Sequence, residues 1–407
     1  MNISNKIQEY ADRNREDIVN LLCELIKFKS ITGKEGEIIN KVKKEMQEFG
    51  YDEIFTDAIG NVVGRIGSGP RTILYDAHLD VVDAEKNGWE NNPFNGVIKD
   101  GKIFGRGTVD DKGPFVCILF AGKIIKDLNI NANNEFTIYI SGSVSEEECE
   151  GLALKSLLKE YPEIKPDYVI IAEPSELNIC RGHRGRAQIE AIFQGEPVHA
   201  SIHEKGINPI EIALPFIVGV QQLDEKLKKM VNIKSLSLGH GDVVVTSIIC
   251  KNNSFNTLAS ECKVIIDRRM IIEDTEESIL KELKSLPNGH KAEIRYMEYK
   301  DTSYNGYEKI GKEYFPACIL KEDHKLIDAG VRAYTELFKD TPIVKVWGFS
   351  TNATYTLGEA KIPSLGFGPG LENLCHSNNE YVCIDDLIKA TKFYAYLPVI
   401  LGEKKQD

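Results

Sequence analysis

The apolar positions of the chain follow two spacings, one typical of helices and one typical of buried strands. Residues 5–29 and 35–49 carry apolar side chains at helical spacing and predict two helices. Short runs rich in β-branched and aromatic residues predict buried strands at residues 72–75, 136–140, 168–171, 343–346 and 364–367. Helical stretches at residues 114–128 and 152–161 lie between several of these strands. This alternation predicts an α/β fold with a mostly parallel sheet.

The middle of the chain follows a different order of elements. Its pattern predicts strand 187–193, helix 209–229, strand 243–249, strand 262–268, helix 275–286 and strand 292–299. The order β-α-β-β-α-β is that of a ferredoxin-like module. We therefore predict a discontinuous outer domain of residues 1–183 and 299–407, into which residues 184–298 insert a second domain.

Composition and charge limit the classes of protein to which the chain can belong. Of 407 residues, 42% are hydrophobic and 28% are charged, a mix typical of globular proteins. The net charge of −12, with no long basic stretch, argues against nucleic acid or an anionic membrane as a partner. No segment has the ~20 consecutive apolar residues of a membrane span, and the first residues lack the apolar run of a signal peptide. The nine cysteines contain no Cys-x-x-Cys pair, so we expect reduced thiols and a cytoplasmic protein.

Histidines and acids follow the predicted strands of the outer domain at the point where each strand ends. These residues are His78, Asp80, Glu146, Glu147, Glu148, Glu173 and His376. A glycine-rich turn at residues 105–113 adds Asp110 and Asp111 before a predicted helix. In open α/β sheets, ligands bind outside the carboxyl ends of the strands, so we expect these side chains to lie at one edge of the sheet.

The residue types at this edge suit a metal centre. Two histidines and several carboxylates, with no thiolate cluster, are ligands for zinc, cobalt or manganese. The number of acids is explained by two nearby ions that share a bridging carboxylate, with a further carboxylate free to move a proton. Asp80, two residues after His78, is placed to accept the ring N–H of that histidine.

Together these segments resemble the co-catalytic zinc metallohydrolases that include acetylornithine deacetylase, succinyl-diaminopimelate desuccinylase, aminoacylase and carboxypeptidase G. The resemblance covers nearly the whole chain, including the inserted domain. It is carried by His78-Leu79-Asp80, Gly105-Arg106-Gly107-Thr108-Val109-Asp110-Asp111-Lys112-Gly113, Glu146-Glu147, Glu173-Pro174-Ser175 and His376. Residues 181–186, with the sequence Arg-Gly-His-Arg-Gly-Arg, are similar to a branch of hydrolases linked to selenium metabolism.

The resemblance implies a role for each matching residue. Five residues would hold two divalent ions per subunit, most often zinc: Asp110 between the ions, His78 and Glu173 on one, and Glu147 and His376 on the other. Three residues would act in catalysis: Glu146 as general base and acid, Asp80 orienting His78, and His199 stabilising the oxyanion, typically in the site of the partner subunit. Asn256 and Arg269 would bind substrate, with Arg269 facing its carboxylate. The inserted domain would serve as a lid and dimerisation domain.

Several assignments stay open in the sequence. Arg268 lies beside Arg269, Asp111 beside Asp110, and the run of residues 146–148 permits a shift by one position. Where the family often has a Thr-Asp-Ala turn near the substrate, this chain has Thr351-Asn352-Ala353, which lacks the charge. His183, between two arginines, is the one remaining histidine considered for contact with an anionic substrate.

The expected function is metal-dependent hydrolysis of an amide bond in an N-acyl amino acid or small peptide that carries a carboxylate. The sequence does not decide between a deacylase and a dipeptidase or carboxypeptidase. A two-metal phosphoesterase and a non-catalytic metal-dependent binder are the alternatives from other classes. We expect a homodimer. Neither a phosphate-binding loop nor a dinucleotide fingerprint occurs in the chain.

Overall fold

The computed structural model describes residues 2–85, 87–131, 133–230 and 238–403. Its α-helices are α1 (Ile3–Arg13), α2 (Arg15–Ile26), α3 (Gly36–Glu48), α4 (Lys112–Asp127), α5 (Leu152–Glu160), α6 (Pro209–Lys229), α7 (Glu276–Lys284), α8 (Lys325–Phe338) and α9 (Ile384–Gly402). Over these residues, no helix is both long enough and apolar enough to cross a membrane.

The strands of the described residues form four sheets. Their bounds are β1 (Glu53–Thr56), β2 (Val62–Ile66), β3 (Arg71–His78), β4 (Val97–Lys99), β5 (Lys102–Phe104), β6 (Phe136–Ser143), β7 (Tyr168–Ile171), β8 (Ile179–His183), β9 (Gly185–Gln194), β10 (Asp242–Lys251), β11 (Glu261–Met270), β12 (Glu293–Tyr296), β13 (Glu298–Thr302), β14 (Glu308–Lys312), β15 (Tyr314–Phe315), β16 (Cys318–Ile319), β17 (Val344–Trp347), β18 (Ser364–Gly366) and β19 (Tyr381–Cys383). The largest sheet is central, and the other three are smaller.

The central sheet is parallel in its middle and antiparallel towards both ends. Its order is β1-β2-β6-β3-β7-β18-β8-β16, with β17 also pairing with β8. The neighbours β6, β3, β7 and β18 are parallel. The pairs β1-β2, β2-β6, β18-β8 and β8-β16 are antiparallel, whereas β17 pairs with β8 in the parallel direction. The predicted α/β class is therefore confirmed, and the sheet is mixed around a parallel centre.

The four parallel strands are deeply buried because helices cover them. All residues of β7 are buried, and α4 packs on β3 and β6. Helices α4 and α9 pack on each other and are buried on nearly every side. Such helices lack a polar face, which is why their apolar pattern is nearly continuous.

The inserted segment has its own sheet and its own hydrophobic core. Its strand order is β10-β11-β9-β12, and each neighbouring pair is antiparallel. This is the ferredoxin-like arrangement that the sequence predicts. Alternate residues of β9 and β11 pack with residues of α6 and α7, including Ile189, Phe193, Phe216, Val264 and Ile279.

Two predicted elements differ from the structure. The helix predicted over residues 5–29 is divided at Asn14, whose side-chain Nδ2 donates to the carbonyl of Tyr10 at 2.7 Å and whose ψ of 20° is not helical. A side chain that satisfies the backbone of the preceding turn favours such an interruption. The strand predicted over residues 292–299 is shorter, and the chain continues into the hairpin β13-β14.

Candidate active site

The carboxyl ends of the parallel strands bring the predicted histidines and acids together. His78 is the last residue of β3, and Glu173 follows β7 by two residues. Glu146 and Glu147 lie just after β6, and His376 lies in the loop between β18 and β19. Parallel neighbours end at the same edge, so side chains from distant parts of the sequence share one small volume.

Asp110 lies between the two histidines. Its Oδ1 is 2.9 Å from Nε2 of His78, and its Oδ2 is 3.2 Å from Nε2 of His376. The carboxylate of Asp111 faces the backbone instead, where Oδ2 accepts the N–H of His78 at 3.0 Å. Of the two aspartates that the sequence left open, Asp110 is the one that faces both imidazoles.

Three glutamates lie close to the two histidines, His78 and His376. Oε2 of Glu147 lies 2.8 Å from Nε2 of His376. Oε2 of Glu146 and Oε1 of Glu173 lie 3.9 Å and 3.8 Å from Nε2 of His78. Ligand atoms lie within 4.8 Å of one another in two groups, His78 with Asp110 and Glu147, and His78 with Glu146 and Glu173. Imidazole and carboxylate donors without a thiolate suit zinc, cobalt or manganese.

The electrostatics of the cluster favour a cation. Burial, followed by neighbouring acids, raises the pKa of Glu147 to about 7 and the pKa of Glu173 well above its usual value. Hydrogen bonds to Asp110 and Glu147 raise the pKa of His376 to about 10. Burial alone would lower the pKa of His78, but Asp110 and the other nearby carboxylates raise it well above normal. The acids thus stabilise any positive charge placed among them.

Glu146, like Asp111, has a buried carboxylate oxygen without a hydrogen-bond partner among the described residues. Glu146 is 6% exposed, and its oxygen without a partner is Oε1. Burial raises the pKa of Glu146 well above its ordinary value. Glu148, the third acid of the run, is exposed. A buried and unpaired carboxylate oxygen beside a cluster of metal-type ligands fits a group that receives and returns a proton.

Asp80 acts on the site in a way that the sequence did not indicate. Nδ1 of His78 lies 2.9 Å from the main-chain oxygen of Asp80, while the nearest carboxylate oxygen is 3.5 Å away. The carboxylate instead accepts the N–H groups of Glu146 and Glu147, at 3.1 Å and 3.3 Å. Asp80 therefore orients His78 through its backbone and holds the two glutamates through its side chain. The prediction that the carboxylate accepts the ring N–H is corrected in this respect.

Glu380 supports Asp110 from behind and was missed in the sequence. It is fully buried, and its Oε1 accepts the N–H groups of Val109 and Asp110 at 2.7 Å and 3.1 Å. Its Oε2 accepts from Arg106 Nη1 at 2.7 Å. Burial raises the pKa of Glu380 to about 6, and the Arg106 guanidinium opposes this rise. In the sequence, only Arg106 of the glycine-rich turn indicated that an acidic partner was needed, because no other role for this arginine was evident from the sequence.

His199 and Asn256 lie together on the inserted domain. Nδ2 of Asn256 is 3.2 Å from Nε2 of His199, and both residues are exposed. His199 also contacts Ser201, whose Oγ lies 2.8 Å from Nδ1. Among the described residues, these contacts join His199 and Asn256 to the inserted domain and not to the cluster around Asp110.

The adjacent arginines of β11 point to opposite faces of its sheet. Arg268 is 2% exposed and pairs with Asp274 of the inserted domain at 3.1 Å. Arg269 is partly exposed and pairs with Asp267 at 2.9 Å. In the register of the sheet, Arg269 lies opposite Arg186 on β9. Arg268 is therefore part of the inserted domain's interior, and Arg269 is the one available to a ligand.

Two other residues considered in the sequence serve structural contacts. Asn352 is buried, and its Nδ2 donates to Asp76 Oδ2 at 2.8 Å while its Oδ1 accepts from Gly151 at 2.7 Å. Asn352 therefore links Asp76 at the end of β3 to Gly151. It does not replace the negative charge that the family often has at this position of the turn. His183 is fully buried, and burial lowers its pKa to about 4, so it is neutral. The idea that His183 contacts an anionic substrate is therefore wrong.

Comparison with known proteins identifies the family. The family model described as Peptidase family M20/M25/M40 matches residues 74–398. The chain belongs to peptidase family M20/M25/M40. The chain is 35% identical over 396 residues to the uncharacterized protein YgeY of Escherichia coli K12, covering 97% of this chain and 96% of YgeY. It is 25% identical to a probable succinyl-diaminopimelate desuccinylase of Staphylococcus epidermidis, covering 95% and 96% of the two chains.

Solved structures of the M20 family have the same fold. The metallo-carboxypeptidase Sso-CP2 of Sulfolobus solfataricus aligns with a TM-score of 0.73 at 19% identity, covering 94% of this chain and 99% of that one. The YXEP protein of Bacillus subtilis, named as a dinuclear metal-binding peptidase, aligns with a TM-score of 0.67 at 15% identity, covering 96% and 99%. The resemblance noted in the sequence is confirmed, and as an M20 member the chain is a metallohydrolase of peptide or acyl-amino-acid amide bonds.

Proposed function

We propose that this M20 enzyme hydrolyses the amide bond of an N-acyl amino acid or small peptide whose free carboxylate lies near the scissile bond. The observation that carries the proposal is the position of Asp110, with one oxygen toward each histidine at 2.9 Å and 3.2 Å. A carboxylate in this position can bridge two cations. We propose zinc as the resident metal, with cobalt or manganese as substitutes.

The ligand set divides around Asp110. We assign His78 and Glu173 to one ion, and Glu147 and His376 to the other. The assignment is supported by the 3.8 Å between His78 Nε2 and Glu173 Oε1 and by the 2.8 Å between His376 Nε2 and Glu147 Oε2. When bound, such a metal pair polarises a carbonyl and lowers the pKa of water to ~7. The backbone oxygen of Asp80 keeps Nδ1 of His78 engaged, which leaves Nε2 free to face the cluster.

Glu146 moves the proton in the proposed reaction. Its Oε1 takes a proton from the attacking water and returns it to the departing nitrogen. Burial raises the pKa of Glu146 well above its ordinary value, which favours the protonated form that the second of these tasks requires. The hydrogen bond from its own N–H to Asp80 holds the residue at the edge of the sheet.

We also propose that two copies of the chain associate through the inserted domain. Helix α6 exposes Ile210, Leu214 and Val218 at a spacing of four residues, which forms one apolar stripe. The edge strand β10 exposes further apolar residues, Val244, Ile248 and Ile249. In such a dimer, His199 would stabilise the oxyanion in the site of the partner subunit, while Asn256 and Arg269 would bind the substrate carboxylate. We place the protein in the cytoplasm, where its free thiols would stay reduced.

The association predicts a measurable mass. Size-exclusion chromatography with light scattering should give twice the 45.6 kDa of one chain. Leu214→Glu should shift the protein to a monomer because it places a charge in the apolar stripe, whose Leu214 is 60% exposed. Lys226→Glu reverses an exposed charge on the same helix, twelve positions beyond Leu214, and as the matched control should stay dimeric. A wild-type protein that is monomeric at micromolar concentration would contradict the dimer.

His199 predicts a loss of rate without a loss of metal. One missing oxyanion donor lowers kcat by roughly 10²–10³-fold, so His199→Ala should retain weak activity and its full metal content. His203→Ala removes a nearby exposed histidine and should have no effect. If His199 acts across the dimer, unfolding and refolding a mixture of His199→Ala and Glu146→Gln chains should restore partial activity. A mixture that stays inactive would place His199 outside the partner's site.

The substrate class is tested by a panel of amides. The enzyme supplied with zinc, cobalt or manganese should release amine from N-formyl, N-acetyl or N-succinyl amino acids, or from dipeptides. Methyl esters of the active substrates should react poorly, because they lack the carboxylate that Arg269 would bind. Turnover of p-nitrophenyl phosphate in place of every amide would indicate a phosphoesterase. Metal loading without turnover of any amide would refute the proposal.

A further inference from the structure

A lysine side chain is fully buried next to the cluster and has no role in the assignments above. Lys309, on β14, has a side-chain exposure of 0%. Its Nζ donates to Oγ of Ser145 at 2.6 Å and lies 3.0 Å from Oδ2 of Asp301. Lysine is almost never fully buried unless it is paired, because desolvating its charge is unfavourable. The ammonium group and these two partners therefore hold one another in place.

Ser145 connects this lysine to the site. It directly precedes Glu146, and its φ of 60° lies in the left-handed region that L-residues rarely adopt. Such a conformation persists where surrounding contacts fix it. Oγ of Ser145 lies 3.5 Å from Oε1 of the buried Glu35, and the hydrogen bond from Lys309 is shorter. Lys309 thus contacts the turn that directs the Glu146 carboxylate.

The hairpin β13-β14 that carries Lys309 spans the two parts of the molecule. The strands on either side of it in sequence, β12 and β15, both pair with β9 of the inserted domain. The tip of the hairpin packs on the outer domain, where Tyr304 Oη donates to the carbonyl of Gly60 and Asn305 Nδ2 donates to the carbonyl of Ala58, each at 3.0 Å. A shift of the inserted domain would therefore act directly on the hairpin.

We propose that Lys309 is a positioning residue for Glu146, acting through Ser145, and that the hairpin β13-β14 links this turn to the inserted domain. The inference rests on the proposed role of Glu146 as the general base. The hydrogen bond from Lys309 to Ser145 would align Glu146. Because β12 and β15, on either side of the hairpin, pair with β9, the position of the hairpin depends on the sheet of the inserted domain. Loss of that bond should misplace the base and leave the metal ligands in position.

Two substitutions test the kinetic consequence. Lys309→Met keeps most of the side-chain length and removes the ammonium, and Ser145→Ala removes only the hydroxyl and serves where the first variant does not fold. Each should lower kcat roughly 10- to 100-fold, with KM changed less than about twofold and two metal ions retained. The double variant should be no slower than the slower single variant, because both remove the same bond. Losses that multiply in the double variant would overturn the proposal.

Hydrogen–deuterium exchange of the full chain separates this proposal from the proposed function, because it needs no substrate. Peptides covering residues 143–150 should exchange faster in Lys309→Met and Ser145→Ala, while peptides of α9 should be unchanged. Lys312→Met is the matched control, since Lys312 lies on the same strand, is exposed and pairs with Glu276 at 2.7 Å. Unchanged exchange over residues 143–150 in both test variants would refute the positioning role, whichever substrate the enzyme uses.

Discussion

Glu146→Gln is expected to lower kcat by about 10⁴-fold while both metal ions stay bound. Glutamine has nearly the same shape, so the hydrogen bond from the backbone of residue 146 to Asp80 is retained. It cannot take up and release a proton, however, whereas Oε1 of Glu146 has no hydrogen-bond partner among the described residues and is free for that task. Steady-state kinetics with the best amide of the panel, together with metal analysis, measures both parts of the expectation.

The neighbouring acids provide controls for this result. Glu148→Gln changes an exposed residue of the same run and should leave kcat unchanged. Glu147→Gln should instead weaken metal binding, because Glu147 contacts His376 at 2.8 Å within the proposed ligand set. If Glu146→Gln kept the rate of the parent enzyme, another group would have to be the base.

Asp110→Asn should produce the second large effect, a loss of metal and of activity together. An amide offers one oxygen and no charge, whereas each carboxylate oxygen of Asp110 faces a different histidine. Both ions should bind more weakly, and kcat/KM should fall roughly 10³-fold or more at metal concentrations that saturate the parent. Elemental analysis after dialysis, compared with activity under the same conditions, tests the two losses in parallel.

Asp111→Asn is the matched control for this substitution. Asp111 is adjacent and fully buried, but its carboxylate faces the N–H of His78 and not the imidazoles. Burial raises the pKa of the Asp111 carboxyl well above its usual value. The Asp111→Asn enzyme should keep both ions. An Asp110→Asn enzyme that retained two ions would show that Asp110 does not bridge them.

The outer strands and the positions of the acids could be predicted because they depend on local sequence. A run such as residues 168–171 is apolar throughout, and Glu173 lies two residues after it, so the strand and its polar end lie in one short segment. The ferredoxin-like order was predictable for the same reason. The break at Asn14 was not, because the apolar spacing continues across it and only one side-chain hydrogen bond marks the interruption.

Contacts made across long separations could not be predicted from the pattern. Glu380 lies 270 positions from Asp110, and Lys309 lies 164 positions from Ser145. In the sequence both have the appearance of ordinary surface charges. For Asp80, the His-x-Asp spacing correctly predicted that this residue contacts His78. It did not show that the contact is made by the main-chain oxygen and not by the carboxylate.

The route of the chain into and out of the inserted segment has a consequence for how such enzymes diversify. The outgoing strands β8 and β9 lie beside the returning strands β16 and β15, with Arg186 opposite Phe315 and His183 opposite Cys318. The two places where the chain passes between the domains, here called crossings, are therefore neighbours. Since the ends of the inserted segment already lie side by side, a chain without the segment would need only a short connection there. Exchange of the whole segment at these crossings would replace His199, Asn256 and Arg269 together and would leave the histidines and acids around Asp110 in place.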